Sequence, residues 1–293
     1  MDSAIQLIDV TKFYGANKAL DNLSLRVNHG EIYGFIGPNG AGKSTAIRLL
    51  LNFIKMQSGS ISVLGLSPQK DDIAIKRQTG YVPAETFMYT DMRVRELLRF
   101  TESFHGISAP KKIKKLIEVL EIDVHKKFEE LSFGNRKKVA IACAMLHSPK
   151  LIILDEPSNG LDPVIRTNLY NLLKEEQQQG ATIFFSSHVL TEVQKVCTRI
   201  GLIKNGRMIK ETTAAEFTNI GYRKVTLETA SGLNIAALNG VADMQQENQT
   251  YRFMYSGKAD DLIKLLSTVF ISSIHIEEPE LERVFMHYFN HNN

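Results

Sequence analysis

The run "GPNGAGKST", from Gly37 to Thr45, sets three glycines, a lysine and two hydroxyls within nine residues. Gly37 through Gly42, Lys43 and Ser44 satisfy the pattern G-x-x-x-x-G-K-[ST], with Pro38, Asn39, Gly40 and Ala41 in between and Thr45 following. Glycines let the backbone curl until its N–H groups converge on phosphate oxygens. Lys43 adds a point charge at the β- and γ-phosphates of a nucleotide, and the Ser44 hydroxyl suits Mg²⁺. A second run, "KLIILDEPSNGLD", delivers Asp155 and Glu156 at the end of four apolar residues. Asp155 can hold Mg²⁺ and Glu156 can polarise an attacking water. Two adjacent carboxylates are costly unless a cation sits beside them. A surface acidic turn is the competing account, and it leaves the apolar run unexplained. A third run, "ATIFFSSH", ends at Ser186, Ser187 and His188, which puts the imidazole where a γ-phosphate contact is expected.

"LSFGN", Leu131 to Asn135, adds a further anion site. Ser132 and Gly134 precede an amphipathic helix, whose free N–H groups and positive end face an anion. One phosphate loop holds one nucleotide, so this second site calls for another phosphate.

The elements that must position these residues follow from periodicity. Short apolar runs bounded by Gly, Pro, Asn or Asp read as strands: "IQLIDV", "EIYGFIG", "SISVLG", "TGYVP", "KLIILDEP", "ATIFFSS" and "RIGLIKNG". Helical patterns lie between several of them: "KSTAIRLLLNFI", "RVRELLRFTESFHG", "PKKIKKLIEVLEI" and "VIRTNLYNLLKEEQQQG". Strand–helix alternation predicts an α/β fold with a mostly parallel sheet. Residues 87–145 interrupt the alternation and read as an inserted helical subdomain. From Thr218 onward, short alternating segments and one helix predict a small α+β domain over 218–293, leaving 1–217 as the main domain. Lys111, Lys112, Lys114 and Lys115 read as the solvated face of a helix rather than a membrane or nucleic-acid patch.

Composition excludes several classes. An apolar share of 43% with 23% charged residues fits a globular chain, and the length accommodates a large core plus a second domain. No run of about 18 apolar residues occurs, so no membrane span is expected, and "MDSAIQLIDV" does not read as a signal peptide. Cys143 and Cys197 lack metal-ligand spacing and read as small buried residues. The net charge of +3 is too mild to argue for nucleic acid, which is not expected as a partner.

Taken in this order, the three elements resemble the ATP-binding subunits of ABC transporters, over about the first 215 residues. The resemblance implies a P-loop NTPase core with an antiparallel β-subdomain, using ATP and Mg²⁺. "KFYGANKAL" is similar to the family's adenine-stacking segment and nominates Tyr14, an ordinary strand-edge tyrosine being the alternative. "SNGLD" is similar to the loop joining the two nucleotide sites, with Asp162 its fixed acid. "LSFGN" occupies the place of the family signature, usually LSGGQ. In this family two ATPase domains pack head to tail, so Ser132, Gly134 and Asn135 serve the ATP held by the partner. That accounts for the second anion site.

The resemblance further implies a separate integral membrane subunit, a second ATP-binding subunit of the same or a different kind, and a place on the cytoplasmic face of the membrane. Phe133 and Asn135 depart from the signature, and Ala84 stands where the family has a glutamine reaching Mg²⁺ and water. The consecutive apolar residues Phe87, Met88 and Tyr89 mark the expected contact with the membrane subunit, the alternative being that they fill the helical subdomain's own core. The ending "EEPELERVFMHYF" resembles subunits of two-component exporters of drugs, peptides, lipids or polysaccharide. An ABC-type ATPase acting on ribosomes or DNA is the alternative. Against it, one ATPase domain is present, and only 88 residues, with no paired cysteines or sustained heptads, separate Lys43 from Ser132. A small-molecule P-loop kinase would leave "LSFGN" and Asp162 unexplained.

Overall fold

A computed structural model describes residues 3–218, 223–235 and 238–277. The chain divides into two compact units, Met1–Ala214 and Ala215–Asn293.

The first unit opens with β1 (Ser3–Tyr14) and β2 (Asn17–Asn28), then β3 (Ile32–Ile36), α1 (Lys43–Leu50), β4 (Ser58–Val63), α2 (Pro68–Arg77) and β5 (Thr79–Val82). Three helices follow, α3 (Val94–His105), α4 (Pro110–Leu120) and α5 (Phe133–Leu146). Alternation resumes with β6 (Leu151–Asp155), α6 (Pro163–Gln178), β7 (Thr182–Ser187), α7 (Leu190–Val196), β8 (Arg199–Lys204) and β9 (Arg207–Thr213). Two sheets result: β2-β1-β4, antiparallel, and β5-β6-β7-β3-β8-β9, parallel except for β9. The expected parallel sheet, antiparallel subdomain and helical insertion are thus present.

Burial explains the parallel sheet. Leu151, Ile152, Ile153 and Leu154 of β6 have no exposed surface. Each such aliphatic side chain removed from water contributes about 2 kcal/mol, which favours a strand covered on both faces over an exposed one. Tyr33, Phe35 and Phe184 pack with α1 residues Ala46, Ile47 and Leu50 and with Ile5, Leu7 and Leu25 of the antiparallel sheet in one core. On the other side α5 packs on β5, and α3 and α4 pack on α5.

Two helices differ from expectation. The helix predicted over "KSTAIRLLLNFI" stops at Leu50, because Asn52 turns left-handed (φ 55°) and the Phe53 N–H closes back on the Arg48 carbonyl at 2.8 Å. Residues 83–93 carry no helix, so the helical insertion starts at Val94 rather than 87. The lysine cluster on α4 is largely exposed, but Lys112 pairs with Glu176 of α6 at 2.7 Å and Lys115 with Glu175.

Past α8 (Ala214–Thr218), the second unit holds β10 (Arg223–Glu228), β11 (Val241–Glu247), β12 (Thr250–Tyr255), α9 (Ala259–Leu266) and β13 (Ser273–Glu277). Its antiparallel sheet runs β11-β12-β10-β13, and Val225, Leu227, Phe253 and Leu262 form its core. This is the α+β appendage expected from the sequence. The "EEPELERVFMHYF" segment lies outside the described residues beyond Glu277.

Candidate nucleotide-binding site

Four neighbouring strands end at one sheet edge, and each delivers chemistry there. Ile36 of β3 lies beside Ser187 of β7, Asp155 of β6 beside Ser186, and Val82 of β5 beside Leu154. The loops leaving these strands carry Gly37–Gly42, His188, Glu156 and Ala84. Ligands of open α/β sheets bind at this edge. Tyr14, at the end of β1, joins Asn39 to Thr45, Ala84, Glu156 and His188 around a cavity of about 680 Å³.

The phosphate loop turns into α1 at Gly42, whose φ of 109° lies in the left-handed region and whose added Cβ would meet the Ala19 carbonyl at 2.7 Å. Lys43 is 6% exposed. Its Nζ donates to the Gly37 carbonyl at 2.6 Å and the Pro38 carbonyl at 3.3 Å. Gly37 and Pro38 therefore hold the lysine from behind the cavity wall.

Glu156 lies between two bases. Its Oε1 is 3.2 Å from Lys43 Nζ, an ion pair without hydrogen-bond alignment, and its Oε2 is 2.7 Å from His188 Nδ1. Its φ of 48° is left-handed, a conformation a glutamate adopts at a cost on the order of 1 kcal/mol. The Glu156 N–H donates to the Ser186 carbonyl at 3.2 Å, which holds that turn. Asp155 is 2% exposed and accepts from Ser186 Oγ at 2.6 Å. Ser44 lines the cavity and Asp155 is buried at the end of β6, off the cavity lining; a hydroxyl and a carboxylate are hard oxygen ligands of the kind that fit Mg²⁺ with its few protein ligands.

Ser132, Gly134, Asn135 and Asp162 are not on this cavity. Ser132 caps α5, accepting from the Asn135 N–H at 3.4 Å. Asp162 caps α6 within its own chain: its Oδ1 accepts from the Val164 and Ile165 N–H groups at 3.0 and 2.9 Å, ahead of Pro163. Those backbone donors, Ile165 foremost, hold its carboxyl below the usual range. The segments carrying Gly134 and Asp162 touch: a Cβ on Gly134 would meet the Gly160 carbonyl at 2.2 Å. Sequence reasoning missed Asn17, Asn159 and Asn205 on the cavity wall. It also missed Glu192, 4% exposed, which accepts from Ser158 at 2.6 Å and Ser187 at 3.1 Å and so fixes the turn after Glu156. The Asn205-Gly206 turn was readable, but not that the Gly206 N–H supports the phosphate loop at the Ala41 carbonyl, 2.9 Å away.

Residues 20–159 match the ABC transporter family. The bacitracin transport ATP-binding protein BcrA of Bacillus licheniformis is 38% identical over 72% of this chain and 70% of its own. The chain belongs to the ATP-binding proteins of ABC transporters. The linearmycin resistance ATP-binding protein LnrL of Bacillus subtilis is 30% identical over 96% of this chain and 97% of its own. A solved ATP-binding subunit of an ABC transporter superposes with a TM-score of 0.69 at 29% identity, over 73% of this chain and 91% of that one. This ABC protein is accordingly an ATPase, and the ribosomal or DNA alternative falls away. Among its described residues no helix is long and apolar enough to cross a membrane.

Beside the cavity, the ABC protein has an apolar groove of about 450 Å³ between residues 79–89, α3 and α5. Phe87 and Phe104 at its rim are 83% and 73% exposed, too much apolar surface to be core filling. At the far end His105 and His147 stack at 3.7 Å. Burial, then the neighbouring His105 and Lys112, pull the His147 pKa down to about 4. An unfolded His titrates near 6.5, so between these values the unfolded chain binds more protons and stability rises with pH. His147 thus supports full stability above pH 6.5, lost as the pH falls toward 4. His147→Gln is expected to flatten this part of a urea-midpoint profile; parallel profiles for both proteins would refute it.

Proposed function

We propose that this ABC ATPase binds MgATP in the cavity, closes on a second ATP-binding chain, and powers a separate membrane subunit that exports a drug, peptide, lipid or polysaccharide. The observation that carries the reading is the meeting of Lys43, Glu156 and His188 within 3.2 Å at the edge where the phosphate loop begins. Tyr14 offers its ring to the base. Loop N–H groups and Lys43 take the phosphates, so Lys43 exchanges Glu156 for phosphate oxygens as ATP enters. Freed from the lysine, Glu156 accepts the proton of the attacking water, oriented by His188. Ser44 and Asp155 would hold Mg²⁺, which when bound neutralises charge developing on the transferred phosphoryl group.

Ser132, Gly134 and Asn135 lie away from their own cavity, which supports their service to the partner's nucleotide, with Asp162 shaping the loop beside them. The partner in this reading is a second copy. The aromatic groove suits the membrane subunit, since aromatics and Met favour interface cores, and this contact would place the protein on the cytoplasmic face. The names of BcrA and LnrL support an antibiotic-like cargo. Ser132→Arg tests the arrangement. Nucleotide affinity of the isolated chain is expected within about threefold of wild type, while ATP-driven dimerisation is lost. Equal loss of both would place Ser132 in its own site.

A further inference from the structure

Lys137 sits in the second turn of α5, five residues after Ser132, and has no exposed surface. An ammonium taken out of water costs several kcal/mol unless its N–H groups find acceptors, about what a buried ion loses in protein interiors. An apolar side chain of similar length would fill the space without that cost. Lys137 meets the demand in one direction: its Nζ donates to the Pro83 carbonyl at 2.7 Å and the Ala84 carbonyl at 2.5 Å. The Phe133 ring covers the ammonium from 5.6 Å. Burial lowers the amine's pKa to about 8, while Asp155, Glu156 and Glu85 favour the charged form.

The two residues it grips stand at a junction. Ala84 lines the nucleotide cavity, and Pro83 with Thr86 to Tyr89 lines the aromatic groove. Ala84 has only a methyl group, so its side chain can make no polar contact with nucleotide or metal. Its segment must be located through its backbone, and Lys137 holds two consecutive carbonyls of that backbone. Phe133 links the same ammonium to the loop after Glu156, since a Cβ on Gly160 would meet its ring at 2.5 Å.

We propose that Lys137 is a positioning residue that ties residues 83–89 to the helix bearing Ser132 and Gly134. A partner seated against Phe87–Tyr89 then moves the cavity wall at Ala84 and the N-terminus of α5 as one piece. The proposal rests on the dimeric reading above.

The full chain carrying Lys137→Met, which keeps length and loses the donors, is compared with Lys137→Gln, which keeps a donor. Deuterium exchange of the amides of residues 84–89 is expected to quicken about tenfold in Lys137→Met, with amides 39–45 unchanged. The ATPase kcat should fall about tenfold with the KM for ATP within about threefold, and Lys137→Gln should recover part of it. Phe133→Ala, at a half-exposed position that tolerates truncation, should quicken the same amides to a smaller degree. Unchanged exchange at 84–89, or equal kcat in the Met and Gln variants, overturns the proposal. If Lys137→Met does not fold, unchanged exchange in both Lys137→Gln and Phe133→Ala overturns it. The Glu156→Gln chain run alongside separates the two readings. If it forms no dimer in ATP, the dimeric reading fails. If it dimerises and adding Lys137→Met leaves the required ATP concentration unchanged, the tie through Lys137 fails alone.

Discussion

Glu156→Gln is expected to stop hydrolysis while leaving ATP bound, so that an ATP-dependent dimer accumulates on size exclusion. The substitution keeps the side chain's volume and its reach to His188, but an amide cannot take a proton from water. General-base catalysis is worth about a hundred- to ten-thousandfold, and a loss in that range is expected. Nucleotide affinity should rise rather than fall. In the wild type the Glu156 carboxylate lies 3.2 Å from Lys43 Nζ and competes with phosphate for the same ammonium. Removing its charge lifts that competition. The left-handed turn at Glu156 is held by Ser186 through backbone groups, so glutamine inherits it. A monomer in ATP and Mg²⁺, or a rate within about tenfold of wild type, would sink the role given to Glu156.

What the sequence made legible was local. A fully apolar strand followed by a glycine-rich turn or an acid is a complete signal in itself, and parallel pairing then fixes which edge the acids share. Asp155, Glu156, His188 and the phosphate loop were readable for that reason. Asp162 before Pro163 also carries a local signal, that of a helix cap. Groups arriving from distant segments were not readable. Asn17 and Asn205 reach the cavity only because one hairpin and one strand turn fold against the phosphate loop. Lys137 sits in "NRKK", where residue type alone does not separate a buried base from an exposed one; the packing of α5 on β5 and its burial show that its stem points inward. β11 escaped because its residues are mostly exposed and polar, and its pairing with β12 supplies what its own pattern lacks.

Lys43→Ala is expected to abolish ATP binding, and the structure gives the loss two sources. The first is the charge itself. Hydrogen bonds from an ammonium to phosphate are each worth about 1.5–3 kcal/mol, so two of them amount to a hundredfold or more in affinity. The second is the loop. Lys43 Nζ holds the Gly37 and Pro38 carbonyls at 2.6 and 3.3 Å, and without it both would seek water and the turn would open. The two sources separate by nucleotide. A charge aimed at the β- and γ-phosphates matters more for ATP than for ADP, whereas an opened loop penalises both alike. Titration of the variant should therefore show a larger loss for ATP than for ADP, because Ala41, Gly42 and the start of α1 remain braced by the Gly206 N–H at the Ala41 carbonyl. Equal losses would mean that Lys43 acts mainly by shaping its own loop, and an ATP affinity within about threefold of wild type would remove it from the site.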